Sequence, residues 1–231
     1  MASSFASTRW SQVLAAGSAD SAEARAALTW LCERQWTPLV RQARRWGLGA
    51  EAAEDAVQDF CCRLIERRAD LGGLDPAAGR FRAWLLTVFR NFLRDRQAHE
   101  AAAKRGGGSR KIDPALAACT TPVSEPDFDR DWAEVLLSQA LDRLEREHAG
   151  DAPRFAALKL FLSGSPDPGA YAAAGRILGL GEGAIKVAVH RLRQRLRELL
   201  RQAVAETLAS PSPEAIDDEM QALMTALMRP R

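Results

Sequence analysis

The chain has 231 residues, of which 47% are hydrophobic and 27% charged, a balance typical of a folded protein rather than a disordered one. No stretch approaches the roughly 18 consecutive apolar residues that a membrane-spanning helix needs. The first residues, MASSFASTRWSQ, lack a basic start followed by an apolar run, so we expect no signal peptide and a cytoplasmic protein.

The cysteines and histidines are too few and too scattered for a metal site. None of the four cysteines forms a CxxC pair, and Cys61 and Cys62 are adjacent, a spacing that suits neither a disulfide nor a zinc site. Glycine-rich phosphate-binding loops are also missing. We therefore expect reduced structural thiols, no metal and no cofactor.

Hydrophobic periodicity predicts an all-α chain. Ala, Leu and Arg are abundant, and these residues have high helix propensities. A proline-containing, weakly periodic stretch before residue 129 predicts a linker, and the glycine pair and triplet earlier in the chain predict breaks. The expected helices are 22–46, 51–68, 79–103, 129–148, 153–163, 169–178, 182–208 and 213–228.

Charge is distributed in blocks along the chain. Residues 80–111 carry nine basic and two acidic side chains, and residues 176–201 carry seven and two. The stretch between them, 112–175, carries five basic and eleven acidic side chains. Two compact basic segments separated by an acidic one indicate two separate contacts with a polyanion.

The first basic segment, GRFRAWLLTVFRNFLRDRQ, predicts a helix with an apolar face and cations beside it. Arginines next to such a face can hold phosphates while polar groups contact bases. The predicted core stripe is Phe81, Trp84, Leu85, Val88 and Phe92. The polar residues off this stripe are Arg82, Arg90, Asn91, Arg94 and Arg96.

The preceding helix, EAAEDAVQDFCCRLIERR, presents an acidic side. Asp55, Gln58 and Asp59 lie opposite a predicted core stripe of Val57, Phe60, Cys61 and Leu64. Because carboxylates repel phosphate, this side favours a protein partner over DNA.

The second basic segment, YAAAGRILGLGEGAIKVAVHRLRQRLRELLRQ, has the form of a helix, a glycine turn and a longer helix. In the longer helix, Ile185, Val189, Leu192, Leu196 and Leu199 form the expected buried stripe. A basic stripe runs beside it, and a helix with such a stripe suits the major groove. That stripe consists of Lys186, His190, Arg193 and Arg197, with Arg191 on its flank.

Together these segments resemble the ECF-type sigma factors, in a planctomycete-like subgroup, over about residues 8–208. The likeness to the family rests on EDAVQDFCCRLIER, FRAWLLTVFRNFLRDRQ and YAAAGRILGLGEGAIKVAVHRLRQRLRELL. The likeness to the subgroup rests on TRWSQVLAA, the KRGGGSRK loop and DDEMQALMTAL. It implies two small helical domains joined by a flexible linker: a region-2-like domain at 8–108, a linker at 109–128 and a region-4-like helix-turn-helix domain at 129–208. A short C-terminal extension follows at 209–231.

The resemblance implies a transcription initiation factor rather than an enzyme, with RNA polymerase core and promoter DNA as partners. Asp55, Gln58 and Asp59 would bind the β′ clamp, and the region-4-like body would bind the β flap. The expected minus-ten contacts are Arg82, Arg90, Asn91, Arg94 and Arg96. The expected minus-thirty-five contacts are Lys186, His190, Arg191, Arg193 and Arg197.

Three alternatives stay open at this point. One is a free-standing helix-turn-helix regulator, and another is an enzyme acting on nucleic acid, for which Asp55 and Asp59 would be the best carboxylate pair. The third is a sigma-like protein that binds polymerase without initiating, because Gly181 stands where the family has a Ser or Thr helix cap. The promoter, the inducing signal, an anti-sigma partner and the role of residues 209–231 are not determined by the sequence.

Overall fold

The computed structural model describes residues 8–15, 22–66, 81–104, 125–164 and 166–229. Within these ranges the secondary structure is helical, with no strand, so the predicted all-α class is confirmed. The helices are α1 (Arg9–Ala15), α2 (Ala22–Arg34), α3 (Trp36–Arg45), α4 (Ala50–Glu66), α5 (Phe81–Lys104), α6 (Pro126–Glu147), α7 (Ala152–Lys159), α8 (Ala170–Leu178), α9 (Glu182–Ala205) and α10 (Pro213–Met228).

Most predicted helices are present. The prediction of one continuous helix at 22–46 is wrong, because this segment is divided into α2 and α3 at Gln35. Pro38 explains the division. A proline within a helix clashes with the carbonyl four residues earlier, here that of Arg34, and cannot donate to it. The same proline is tolerated in the first turn of α3, where its missing N–H needs no partner.

The chain divides into two compact units. Unit 1 comprises Met1–Val135 together with Val204–Arg231, and unit 2 comprises Leu136–Ala203. These units differ from the expected domains, because the first turns of α6 and the C-terminal extension both belong to unit 1. Most of the predicted linker, at 109–124, lies outside the described residues. The domain assignment itself stays a prediction.

The core of unit 1 is rich in aromatic residues. The apolar stripes predicted for α4 and α5 are buried, which confirms the helical periodicity. Trp10 packs against Phe81 and Trp84, with both pairs of ring centroids 4.9 Å apart. Phe81 also contacts Trp132 of α6, at 5.9 Å. The start of α6 is therefore part of the core of unit 1.

The buried thiols of unit 1 lie in the same core. Cys32 and Cys61 are both buried and reduced, whereas Cys62 is exposed. The contact with Cys61, together with burial, raises the pKa of the Cys32 thiol well above its ordinary value. Cys32 is therefore a protonated core residue.

The core of unit 2 forms where α6, α7, α8 and α9 meet. Ile185, Val189, Leu192 and Leu199 of the predicted α9 stripe are buried in it, and Leu196 packs against it. The turn between α8 and α9 brings backbone atoms close together, since Leu180 N donates to Gly175 O at 2.8 Å. Gly179 in this turn has a φ of 66°, a conformation that glycine adopts without strain.

None of the helices in the described part of the chain has both the length and the apolar character that a bilayer span requires.

The close approach of the Leu180 backbone to Gly175 allows a test of the turn between α8 and α9. A Cβ atom at Gly175 would lie 2.5 Å from the backbone oxygen of Leu180, so the turn would have to shift. We expect Gly175→Ala to lower the free energy of unfolding by about 1–3 kcal/mol, even though alanine favours helix. Urea denaturation of the full-length protein measures this change.

Gly183→Ala is the matched control, because a Cβ atom at this position of α9 meets nothing within 4 Å. We expect this variant to be as stable as the wild type or more stable, by up to about 1 kcal/mol. Equal stability of the two variants would contradict the requirement for glycine at position 175.

Candidate nucleic-acid and polymerase interface

The acidic side predicted for α4 is an exposed surface. Asp55, Gln58 and Asp59 are all exposed, with Asp55 one turn before the other two along α4, and the core stripe of the helix lies on the other side. Asp59 accepts a hydrogen bond from Arg96 of α5 at 3.3 Å. Two carboxylates and an amide with free surface around them can form charged hydrogen bonds with a protein partner.

The middle of α5 carries two arginines, one of them exposed, beside an aromatic ring that the sequence did not indicate. Arg94 is exposed and Arg90 half-buried, and their guanidinium groups lie 5.9 and 5.8 Å from the ring centroid of Trp46. Asn91 is half-buried between them. Trp46 directly follows α3, and no periodic pattern could have indicated that its ring faces α5.

The side chain of Arg82 is placed differently from the prediction. The sequence put Arg82 off the core stripe, but its side chain is only 7% exposed. It lies 2.8 Å from Asp129 of α6 and 3.2 Å from Glu219 of α10. Arg82 is buried because these two helices cover this side of α5. Its predicted contact with DNA stays a prediction, and in this structure a phosphate cannot reach it.

The start of α6 places carboxylates against arginines of α3 and α5. Arg41 donates to Asp131 at 2.7 Å and to Glu134 at 2.8 Å. The sequence predicted a helix at 129–148 but assigned no role to its acidic residues or to any residue of α3. The remaining pairs are Arg45 with Asp131, Arg45 with Asp127 at 3.9 Å, Arg90 with Glu125 at 2.6 Å and Arg82 with Asp129.

The basic stripe predicted on α9 is exposed along unit 2. Lys186, His190, Arg191 and Arg197 are all exposed. Lys186 donates to Glu182 one turn earlier, at 2.7 Å, and this hydrogen bond raises the pKa of the lysine. The stripe is thus a cationic surface on the helix that follows the glycine turn.

Arg193, in contrast, already has backbone partners. Its Nε and Nη2 donate to the carbonyl oxygen of Phe161 at 3.0 and 2.7 Å, and Nη2 also donates to the carbonyl of Gly164 at 3.1 Å. These bonds fix the segment after α7 against α9. Arg193 is exposed like the rest of the set on α9, but to bind a DNA phosphate its guanidinium would have to give up these bonds.

Unit 2 also contains a cavity of about 790 Å³ between α7 and α9. Phe155, Leu158 and Val187 give it an apolar floor, and Arg191 lies at its side. Arg195 and Glu147 form part of the cavity wall, and Arg195 donates two hydrogen bonds of 2.8 Å to Glu147. These bonds keep the pKa of the Glu147 carboxyl below its ordinary value. An apolar surface with charged walls can accept an amphipathic segment of another protein.

The described residues contain no cluster of three or more His, Cys, Asp or Glu side chains that could hold a metal ion.

Comparison with known families adds one match. Residues 33–102 match the family model of Sigma-70 region 2, and this segment contains the acidic side of α4, Trp46 and the cations of α5. Neither a curated protein nor a solved structure matches the chain. In sigma factors, region 2 binds RNA polymerase core and contacts promoter DNA. The match of residues 33–102 to Sigma-70 region 2 therefore supports a sigma factor that acts in transcription initiation.

Proposed function

We propose that the chain is an ECF-type sigma factor of the planctomycete-like subgroup, located in the cytoplasm and without catalytic activity of its own. It binds RNA polymerase core through the β and β′ subunits and directs it to promoters with minus-ten and minus-thirty-five elements. The domains expected at 8–108 and 129–208 would carry the two contacts, with the linker at 109–128 and the extension at 209–231.

The observation that carries this proposal is the position of the Sigma-70 region 2 match. It spans α3, α4 and α5, which present within one unit an exposed acidic side and a basic side where the exposed Arg94 lies beside the half-buried Arg90 and Trp46. One surface suits a protein partner and the other suits single-stranded DNA, since arginine binds phosphates and aromatic rings stack on bases. A sigma factor needs both surfaces close together.

The second contact would come from unit 2. The α8–turn–α9 segment resembles a helix-turn-helix, and Lys186, His190, Arg191 and Arg197 are exposed on its second helix. Gly181 precedes α9 without a side chain to cap it, but Ile185 N still donates to Gly181 O at 3.2 Å. The helix therefore begins at the expected residue despite the missing cap.

Run-off transcription tests the proposal directly. The purified protein is mixed with sigma-free core polymerase on genomic promoter fragments, and we expect specific transcripts only when the protein is present. Failure to bind core would exclude a sigma factor and favour a free-standing regulator. Core binding without transcripts on any fragment would favour a relative that no longer initiates.

Charge reversal on α4 tests the polymerase contact. We expect Asp55→Lys to weaken binding to core polymerase about tenfold or more, because an exposed carboxylate would be replaced by a cation at the interface. Titration of the labelled protein with core, followed by fluorescence anisotropy, measures the affinity.

Asp218→Lys makes the same charge change on an exposed residue of α10, to which no polymerase contact is assigned, and we expect its affinity for core to equal that of the wild type. Equal weakening by both variants would indicate a general charge effect and contradict the contact on α4.

Removal of single cations from α9 tests the minus-thirty-five contact. With holoenzyme on a promoter found by run-off transcription, we expect Arg197→Ala to weaken binding. Because one phosphate contact is lost, the slope of log affinity against log salt should fall by about 1.

Lys159→Ala removes one cation from α7 of the same unit and should leave the slope unchanged. If Arg197→Ala also left the slope unchanged, residue 197 would not contact DNA phosphate.

A further inference from the structure

The C-terminal residues of unit 1 lie beside the start of α5. The amide of Phe81 donates to Thr207 O at 3.2 Å, and the Oγ1 of Thr8 donates to Leu208 O at 2.6 Å. The adjacent helix α10 then places Glu219 beside Arg82. The segment that follows α9 is thus attached to the residues that open the first basic helix.

The contact between Arg82 and Glu219 excludes water. The two side chains are 7% and 2% exposed, and Arg82 Nη2 lies 3.2 Å from a carboxylate oxygen of Glu219. Within the described residues, Nε and Nη1 of Arg82 form no hydrogen bond, although Nη1 is 2.8 Å from Asp129. The guanidinium is therefore neutralised, but two of its three nitrogens lack a well-directed acceptor.

The two helices that cover Arg82 are attached to unit 1 with different strength. The start of α6 buries two aromatic rings completely, those of Phe128 and Trp132. The buried apolar side chains of α10 are aliphatic and together have fewer atoms than those two rings. They are Ile216, Leu223 and Ala226. Because apolar stabilisation grows with buried area, α10 is the cover that is released more easily.

We propose that α10 is an autoinhibitory cover on the region-2-like unit, which leaves when promoter DNA binds and lets Arg82 exchange Glu219 for a DNA phosphate. The inference rests on the proposed function, because it takes Arg82 as a minus-ten contact. A phosphate carries the same single charge as the carboxylate that it replaces, and it offers oxygens to the guanidinium nitrogens that lack acceptors. Because only open molecules bind DNA, the apparent DNA affinity equals the affinity of the open form multiplied by the fraction of molecules that are open.

Glu219→Gln tests the cover without shortening the chain. It keeps the shape of the side chain and removes the charge opposite Arg82. We expect faster hydrogen exchange across 213–228, and about tenfold tighter binding to a forked oligonucleotide with a single-stranded arm, because more molecules are open. Exchange is read by mass spectrometry, and binding by fluorescence anisotropy with the full-length protein.

Asp218→Asn is the matched control, since it makes the same chemical change at the neighbouring exposed residue of α10. It should alter neither the exchange nor the DNA affinity. A second variant that ends at Ser212 lacks α10 entirely and should bind the fork at least as tightly as Glu219→Gln. Circular dichroism checks that Glu219→Gln keeps its helical content and that the shortened variant loses no more helix than α10 itself.

Two results would overturn the inference. If Glu219→Gln leaves exchange across α10 unchanged, the charge does not hold the helix in place. If exchange rises but fork affinity does not, α10 does not cover a DNA-binding surface. Core binding of the wild type, measured on the same samples, reports separately on the proposed function, because neither the exchange nor the fork assay requires polymerase.

Discussion

A guanidinium group enclosed without water must be neutralised, and in unit 1 this requirement joins three distant segments of the chain. Arg82 begins α5, Asp129 comes from the start of α6 and Glu219 from α10. Removal of either carboxylate would leave a buried charge less well compensated, which is far more costly than the loss of a pair at the surface. Asp131, also at the start of α6, is similarly buried, with 7% of its side chain exposed, and it pairs with the more exposed Arg41 and Arg45 of α3. The pair of Arg45 with Asp127 lies nearer the surface, contributes less than about 1 kcal/mol and is screened by salt.

Packing and charge have different roles at the start of α6. Phe128 and Trp132 are fully buried, and burial of such rings contributes about 1.5–3 kcal/mol each. Of the two carboxylates between them, Asp129 neutralises the buried Arg82 and Asp131 accepts a hydrogen bond from Arg41 of α3. These contacts determine which side of the helix meets the arginines. An acidic stretch that the sequence assigned to the region-4-like domain is in this way a structural part of the unit that carries the Sigma-70 region 2 match.

The sequence predicted what depends on local periodicity. The buried stripes of α4, α5 and α9 follow from residues three and four apart, and the exposure of Asp55 and Lys186 follows from the same geometry. The burial of Arg82 could not be predicted, because it depends on Glu219, 137 positions later, and no local pattern records that contact. The position of Trp46 beside Arg94 was missed for the same reason. The division at Gln35 was predictable from Pro38, whose effect on the preceding turn is local.

The assignment of residues 204–231 to unit 1 has a consequence for the order of folding during synthesis. All residues of unit 2, from 136 to 203, are contiguous, so this unit can form as soon as they leave the ribosome. Unit 1 is completed only when the last helix has emerged, and its contacts between residues 8 and 208 close a very long loop. The nascent chain therefore passes through a state in which the α9 cations are already displayed on a folded unit while the core around Trp10 and Phe81 still awaits its final segment.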